Sequence, residues 1–142
     1  MILISHRGNA YGPKPELENN PRYVLSAAEE FFVEVDVWKI KDLWLLGHDR
    51  PEYEVEEGFL RNKKFLLHAK NLDALKSLVE MDAHCFWHQE DNYTISSRGV
   101  IISYPGHAVG ENVICMKPEL LSMDTIYDSY GICSDYVGLY NA

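Results

Sequence analysis

Short apolar runs rich in β-branched residues recur along the chain, and most of them end in polar side chains. ILIS (2–5) leads into His6-Arg7-Gly8. FFVEVDVW spans 31–38, LWLLG (43–47) leads into His48-Asp49, and FLLHAK spans 65–70. Farther along come AHCFWH (83–88), VIISY (100–104), NVICM (112–116) and GICS (131–134). Runs of this length and composition predict strands. Helical patterns fall between some of them. Asn20-Pro21 before RYVLSAAEEF predicts an N-cap with proline at the first helical position. Asn71-Leu72-Asp73 before ALKSLVEM predicts a second helix, with Leu72, Leu75, Leu78 and Val79 on one face. PELLSMDTIY (118–127) predicts a short third. Residues 39–42 and 89–99 are too few for crossover helices, and Lys41-Asp42 is expected to turn a hairpin. The alternation predicts an α/β chain with a mostly parallel sheet or barrel.

The polar residues within these runs follow the strand period. Glu34 and Asp36 share one face with Phe32 and Trp38, while Val33, Val35 and Val37 share the other. Two carboxylates on one face of an apolar run are costly to bury unless paired or metal-bound. A metal site, a polar edge strand and a salt bridge to Lys or Arg all remain open on the pattern alone. His68 and Lys70 repeat the two-residue spacing, and a barrel would aim all four side chains at one interior. In parallel β/α folds the C-terminal strand ends form the active-site rim. His6 and His48 follow two such ends, and an imidazole with a pKa near ~6.5 suits proton transfer at neutral pH. Taken singly, either histidine reads equally as structural, and Arg7 as the partner of an acid. His88, with Gln89, ends the fifth run and could line a pocket. Asp135 could reach the same place from the last strand.

Taken together, His6-Arg7-Gly8, Pro15-Glu16-Leu17-Glu18-Asn19-Asn20, Val33-Glu34-Val35-Asp36-Val37 and Gly47-His48-Asp49 resemble the glycerophosphodiester phosphodiesterase family. Order and approximate spacing follow that family's HRG, EN, ExD and HD elements. Leu67-His68-Ala69-Lys70 stands where the family has an E-x-K strand, and Gly131–Tyr136 resembles its closing strand. The resemblance implies a β/α-barrel phosphodiesterase with one divalent cation, Mg²⁺ or Ca²⁺. It implies Glu34 and Asp36 as metal ligands, with Glu18 near the metal or substrate. It implies His6 and His48 as the general acid/base pair, and Arg7 and Lys70 on the phosphate oxygens. One position departs: His68 replaces the family's carboxylate. A Glu-Asp-His set tolerates Mn²⁺, Fe²⁺ or Zn²⁺ better than three carboxylates do. His68 is expected as a third ligand, with a role beside the ligands or on the substrate as the alternative.

Length then constrains the fold. The chain has 142 residues, the size of one domain, whereas a regular eight-fold β/α barrel needs ~250. The expectation is a single domain over 1–142: a reduced or incomplete TIM-type barrel of seven or eight mostly parallel strands. The first half has the motif spacing of a full-sized relative, so the missing outer helices should fall between Asn71 and Gly131. Strand faces stripped of helices would need covering, so a homodimer is expected. Thirteen Lys and Arg against 22 Asp and Glu give a net charge of −9, which disfavours a nucleic acid partner. No stretch approaches the ~18 apolar residues of a membrane span, and the first residues are too few for a signal-peptide core. Three cysteines without metal-binding spacing suggest reduced thiols in the cytoplasm. The expected activity is metal-dependent hydrolysis of a small phosphodiester. The alternative is a weak or inactive barrel that binds a phosphorylated metabolite or lipid headgroup.

Overall fold

The computed structural model describes residues 1–120 and 126–140. The strands are β1 (Ile2–His6), β2 (Phe32–Ile40), β3 (Leu43–Leu46), β4 (Tyr53–Val55), β5 (Phe65–Ala69), β6 (Cys85–Phe86), β7 (Tyr93–Ile95), β8 (Ile101–Ser103), β9 (Val113–Met116) and β10 (Gly131–Ser134). The helices are α1 (Pro21–Ala28), α2 (Glu57–Leu60) and α3 (Leu72–Glu80). The pattern did not predict β4, β7 or α2.

All ten strands join one curled, mostly parallel sheet. Its parallel part runs β6-β5-β2-β1-β10-β9-β8. The order is cyclic: from β1 it proceeds through β2, β5 and β6 on one side, and returns through β8, β9 and β10 on the other. The β3–β4 hairpin continues from the far end of β2, and β7 flanks β8 antiparallel. β6 and β8 are not paired, and Thr94 of β7 and Ser97 just after it span the seam between them. Ser97 N–H donates to the Cys85 carbonyl at 2.7 Å, the Ser97 hydroxyl accepts from Cys85 N–H at 3.0 Å, and Thr94 Oγ1 donates to the Trp87 carbonyl at 2.7 Å.

Strand alternation sorts the core into two layers. Val33, Val35 and Val37 of β2 pack with Leu67 and Ala69 of β5 beneath Val24 of α1 and Leu78 of α3. The opposite, inner face carries Ile4, Leu66, Phe86, Ile102, Ile114 and Cys133. The inner apolar cluster closes the centre of the curl and leaves its upper end to polar side chains.

Both predicted helix caps form. Asn20 Oδ1 accepts from Arg22 N–H, with Pro21 opening α1. Asn71 Oδ1 accepts from Ala74 N–H at 3.1 Å, and its amide also donates to the Lys39 carbonyl at 2.8 Å. The buried face of α3 differs from the expectation. Ala74 and Leu78 are buried, but Leu72 and Val79 are 65% and 55% exposed. At about 100° per residue, Leu72 and Val79 lie roughly 100–120° around the helix from Leu78. The buried face is therefore centred on Ala74 and Leu78 rather than on the wider stripe from Leu72 to Val79. Within 118–127, Pro118–Leu120 forms a 3₁₀ turn, and Ile126 opens another that ends at Asp128; residues 121–125 lie outside the described residues. Beyond Glu80 the described residues contain no α-helix, and β8 and β9, although parallel, are joined by residues 104–112 alone. The expected loss of outer helices falls in this stretch. No helix is long and apolar enough to cross a membrane.

Candidate metal centre and proton-transfer site

Register brings the predicted residues together. His6 of β1 lies opposite Glu34 of β2, and Asp36 of β2 opposite His68 of β5. Neighbours across a parallel ladder share a face, so these four side chains converge on the upper inner end of the curl. All four are buried.

Glu34, Asp36 and His68 each offer a ligand atom, and these atoms lie within 4.8 Å of one another. His68 Nδ1 is 3.1 Å from Asp36 Oδ1 and 3.6 Å from Glu34 Oε1. Its other nitrogen, Nε2, donates to the His88 carbonyl at 3.1 Å. A carbonyl only accepts, so the ring proton belongs on Nε2 and the Nδ1 lone pair faces two carboxylates. Three acceptors meeting in a buried place need a cation between them, either a second proton on the ring or a metal ion. Asp36 Oδ1 and Glu34 Oε2 are buried without a hydrogen-bond partner among the described residues. In the ion-free site, burial would lower the His68 pKa, but the facing Asp36 and Glu34 carboxylates raise it to about 9. Burial likewise opposes the charge of Asp36, yet contact with His68 and the Arg7 charge hold its pKa well below the usual value. The set fits a divalent ion with two carboxylate oxygens and one imidazole, its ring oriented by a backbone carbonyl.

Two histidines flank this centre in opposite tautomers. His6 Nδ1 donates to Asp135 Oδ1 at 2.7 Å, which leaves the Nε2 lone pair 3.7 Å from Glu34 Oε2. Asp135 also accepts from Asn9 Nδ2 at 2.9 Å and lies 3.4 Å from Lys117 Nζ. Burial opposes its charge, but the hydrogen bonds from His6 and Asn9 and the Lys117 charge keep its pKa below the usual carboxylate range. His48 is arranged the other way round. Its Nδ1 lies 2.8 Å from Arg7 Nη2, and arginine can only donate, so Nδ1 accepts and the proton sits on Nε2. One ring presents a basic nitrogen and the other an N–H.

A cavity of about 670 Å³ opens over these groups, lined by His6, Arg7, Glu34, His48, His68 and Lys70 among others. Lys70 brings an ammonium with no ion pair or hydrogen bond among the described residues. Arg7 lines the cavity too, but its guanidinium is already engaged by Glu18 Oε1 (3.1 Å), Asp36 Oδ2 (3.2 Å) and His48. Glu18 therefore meets Arg7 rather than the Glu34–Asp36–His68 point. His88 contributes its carbonyl to His68, while its ring stacks on Tyr104 at 3.5 Å between centroids. Asp135 reaches the site, through His6.

Sequence reasoning missed Asn9, Asn19 and Lys117 as site residues. Asn9 is buried between Asp135 and the Tyr23 hydroxyl, from which it accepts at 2.9 Å. Asn19 clamps Asp36: Nδ2 donates to Oδ2 at 2.8 Å, and Oδ1 accepts from Asp36 N–H at 3.0 Å. Its φ is 65°, in the left-handed region that asparagine tolerates and most side chains avoid. Replacing Asn19 with glycine keeps that backbone and removes the clamp. Asn19→Gly is expected to cost about 1–3 kcal/mol in urea denaturation, and Asn19→Ala more, since alanine adds backbone strain.

Comparison with protein-family models, with curated proteins and with solved structures gives no match.

Proposed function

We propose that the chain is a shortened, TIM-type barrel phosphodiesterase resembling the glycerophosphodiester phosphodiesterases, which hydrolyses a small phosphodiester with one divalent cation. One observation carries this reading: a buried carboxylate pair and His68 lie beside two histidines of opposite tautomer, under a single cavity. Glu34, Asp36 and His68 would hold Mg²⁺ or Ca²⁺, with Mn²⁺ also suited to a mixed oxygen and nitrogen set. The bound ion would polarise the phosphoryl oxygens and stabilise charge developing on them.

This chain's own groups do the rest. His6 Nε2 takes the proton of the attacking hydroxyl, from water or from the substrate itself. Asp135 holds the ring in that tautomer and offsets the charge it gains. His48 Nε2–H faces outward to donate to the departing alkoxide, while Arg7 keeps its Nδ1 acceptor-only. Lys70 binds a phosphate oxygen. Lys70→Met is expected to raise KM about ten- to a hundredfold, the worth of one charge-assisted hydrogen bond, with a smaller effect on kcat. Turnover of glycerophosphodiesters and an aryl phosphodiester with Mg²⁺, Ca²⁺ and Mn²⁺ tests the reading directly; no hydrolysis with any pair overturns it.

A second reading has its own observation. Arg7 is spent on Glu18, Asp36 and His48, and Lys117 on Asp135, so Lys70 is left to meet the phosphate. A site this poor in available cation suits a barrel that binds a phosphorylated metabolite or lipid headgroup without turning it over. Phosphorus NMR separates the two, since binding broadens the diester signal and turnover replaces it.

A further inference from the structure

A second cavity, about 330 Å³, lies at the opposite end of the sheet, between the first residues of the strands. Ile2 and Ile4 of β1, Phe32 of β2, Leu66 of β5, Val100 and Ile114 supply its apolar wall. Ile4, Leu66 and Ile114 belong to the inner cluster that also contains Met116, which lines the upper cavity. The two cavities therefore sit on opposite sides of one apolar plug. Phe32 and Tyr130 at the lower mouth stay 38% and 41% exposed, so an occupant would remove apolar surface from water.

Charge at this mouth runs against the composition of the chain. Among 22 acids and 13 bases, no aspartate or glutamate lines the cavity, whereas Lys63 and Arg98 do. Lys63 is exposed and carries no ion pair among the described residues. Arg98 spends one donor on the Asp82 carbonyl at 3.2 Å, leaving the rest of its fork open. His84 beside them meets Ser96 Oγ at 2.7 Å. An apolar hole with two cations and no acid at its mouth is complementary to an amphiphilic anion, and its volume is at the small end of the ~300–1,000 Å³ usual for small-molecule sites.

We propose that this lower cavity binds a single-chain alkyl carboxylate, with the tail among Ile2, Ile4, Leu66 and Ile114 and the head at Lys63 and Arg98. The site uses none of the residues of the upper centre, so it stands or falls separately from the phosphodiesterase reading. Calorimetric titration of the full chain with octanoate, decanoate and dodecanoate tests it. Affinity rises about fourfold per methylene until the cavity is full. Decanoate binds about fivefold tighter than decanol at low ionic strength, and salt erodes the difference. Lys63→Met with Arg98→Met, both at exposed positions, removes the preference for the carboxylate and leaves decanol binding unchanged. Val100→Phe fills the hole and weakens both ligands. Absence of binding, equal affinity for decanoate and decanol, or indifference to Val100→Phe would each overturn the proposal.

Discussion

His6→Ala lowers turnover of a small phosphodiester by roughly 10²–10⁴-fold, the range for losing a positioned general base, and leaves KM almost unchanged. The expectation rests on which nitrogen is free. Nδ1 is committed to Asp135 at 2.7 Å, so Nε2, toward Glu34 and the cavity, keeps a lone pair. Alanine deletes that acceptor and leaves Lys70 and the candidate ligands in place. Asp135→Ala should fall between wild type and His6→Ala, because the ring survives but loses the partner that sets its tautomer. Asp135 acts only through His6 in this scheme. The double variant should therefore be no slower than His6→Ala alone, a departure from additivity expected of residues working as one unit. Additive losses would show that Asp135 has a separate task and that the tautomer argument is wrong. His48→Ala should give a loss of similar size, and Arg7→Met a smaller one, since Arg7 donates to His48 Nδ1 and so fixes the ring's tautomer. Equal rates for wild type, His6→Ala and His48→Ala would remove the acid/base assignment.

Local features of the sequence carried the fold a long way, and long-range ones did not. The period of two in FFVEVDVW placed Glu34 and Asp36 inward and three valines outward because alternation is a property of the strand itself. Asn20-Pro21 and Asn71 announced their helices because a cap bonds within its own first turn. The His6–Asp135 pair joins residues 129 apart, and only the closing β1–β10 ladder creates it. Arg7 had 22 acids to choose from; the turn after β1, with Arg7 itself at φ 59°, carries its backbone beside Asn19 and its side chain into Asp36 and Glu18. The tautomers of His48 and His68 depend on a guanidinium and a carbonyl from other segments, so residue types alone could not separate acid from base. Nor did the pattern foresee β7, whose Tyr93 and Ile95 are exposed and whose pairing comes from β8.

The other large effect concerns the cation among Glu34, Asp36 and His68. Without metal, folded His68 has a pKa of about 9 against ~6.5 in the unfolded chain. A raised folded pKa adds stability that is fully present below about 6.5 and lost as pH climbs through about 9. A shift of this size is worth on the order of 3 kcal/mol. Asp36 works in the opposite sense: its lowered pKa adds stability present above ~3.9 in the unfolded reference and lost on acidification. Metal-free protein should thus be most stable between roughly pH 4 and 6.5 and weaken steadily toward pH 10. A divalent ion bound in the proposed way would take the place of the His68 proton. At 100 times its Kd the ion adds about 2.7 kcal/mol, and it should flatten the alkaline decline, because Nδ1 then needs no proton. Below about pH 9 each ion bound should release one proton from His68, with apparent affinity improving about tenfold per pH unit. Urea midpoints from pH 5 to 10, with chelator and with Mg²⁺, Ca²⁺ or Mn²⁺, report the first effect. Calorimetry in buffers of different ionisation enthalpy reports the second. His68→Gln should abolish both the alkaline decline and the released proton. An alkaline decline that persists under saturating ion would show that the ion sits elsewhere, and that the three buried side chains are held together by a proton alone.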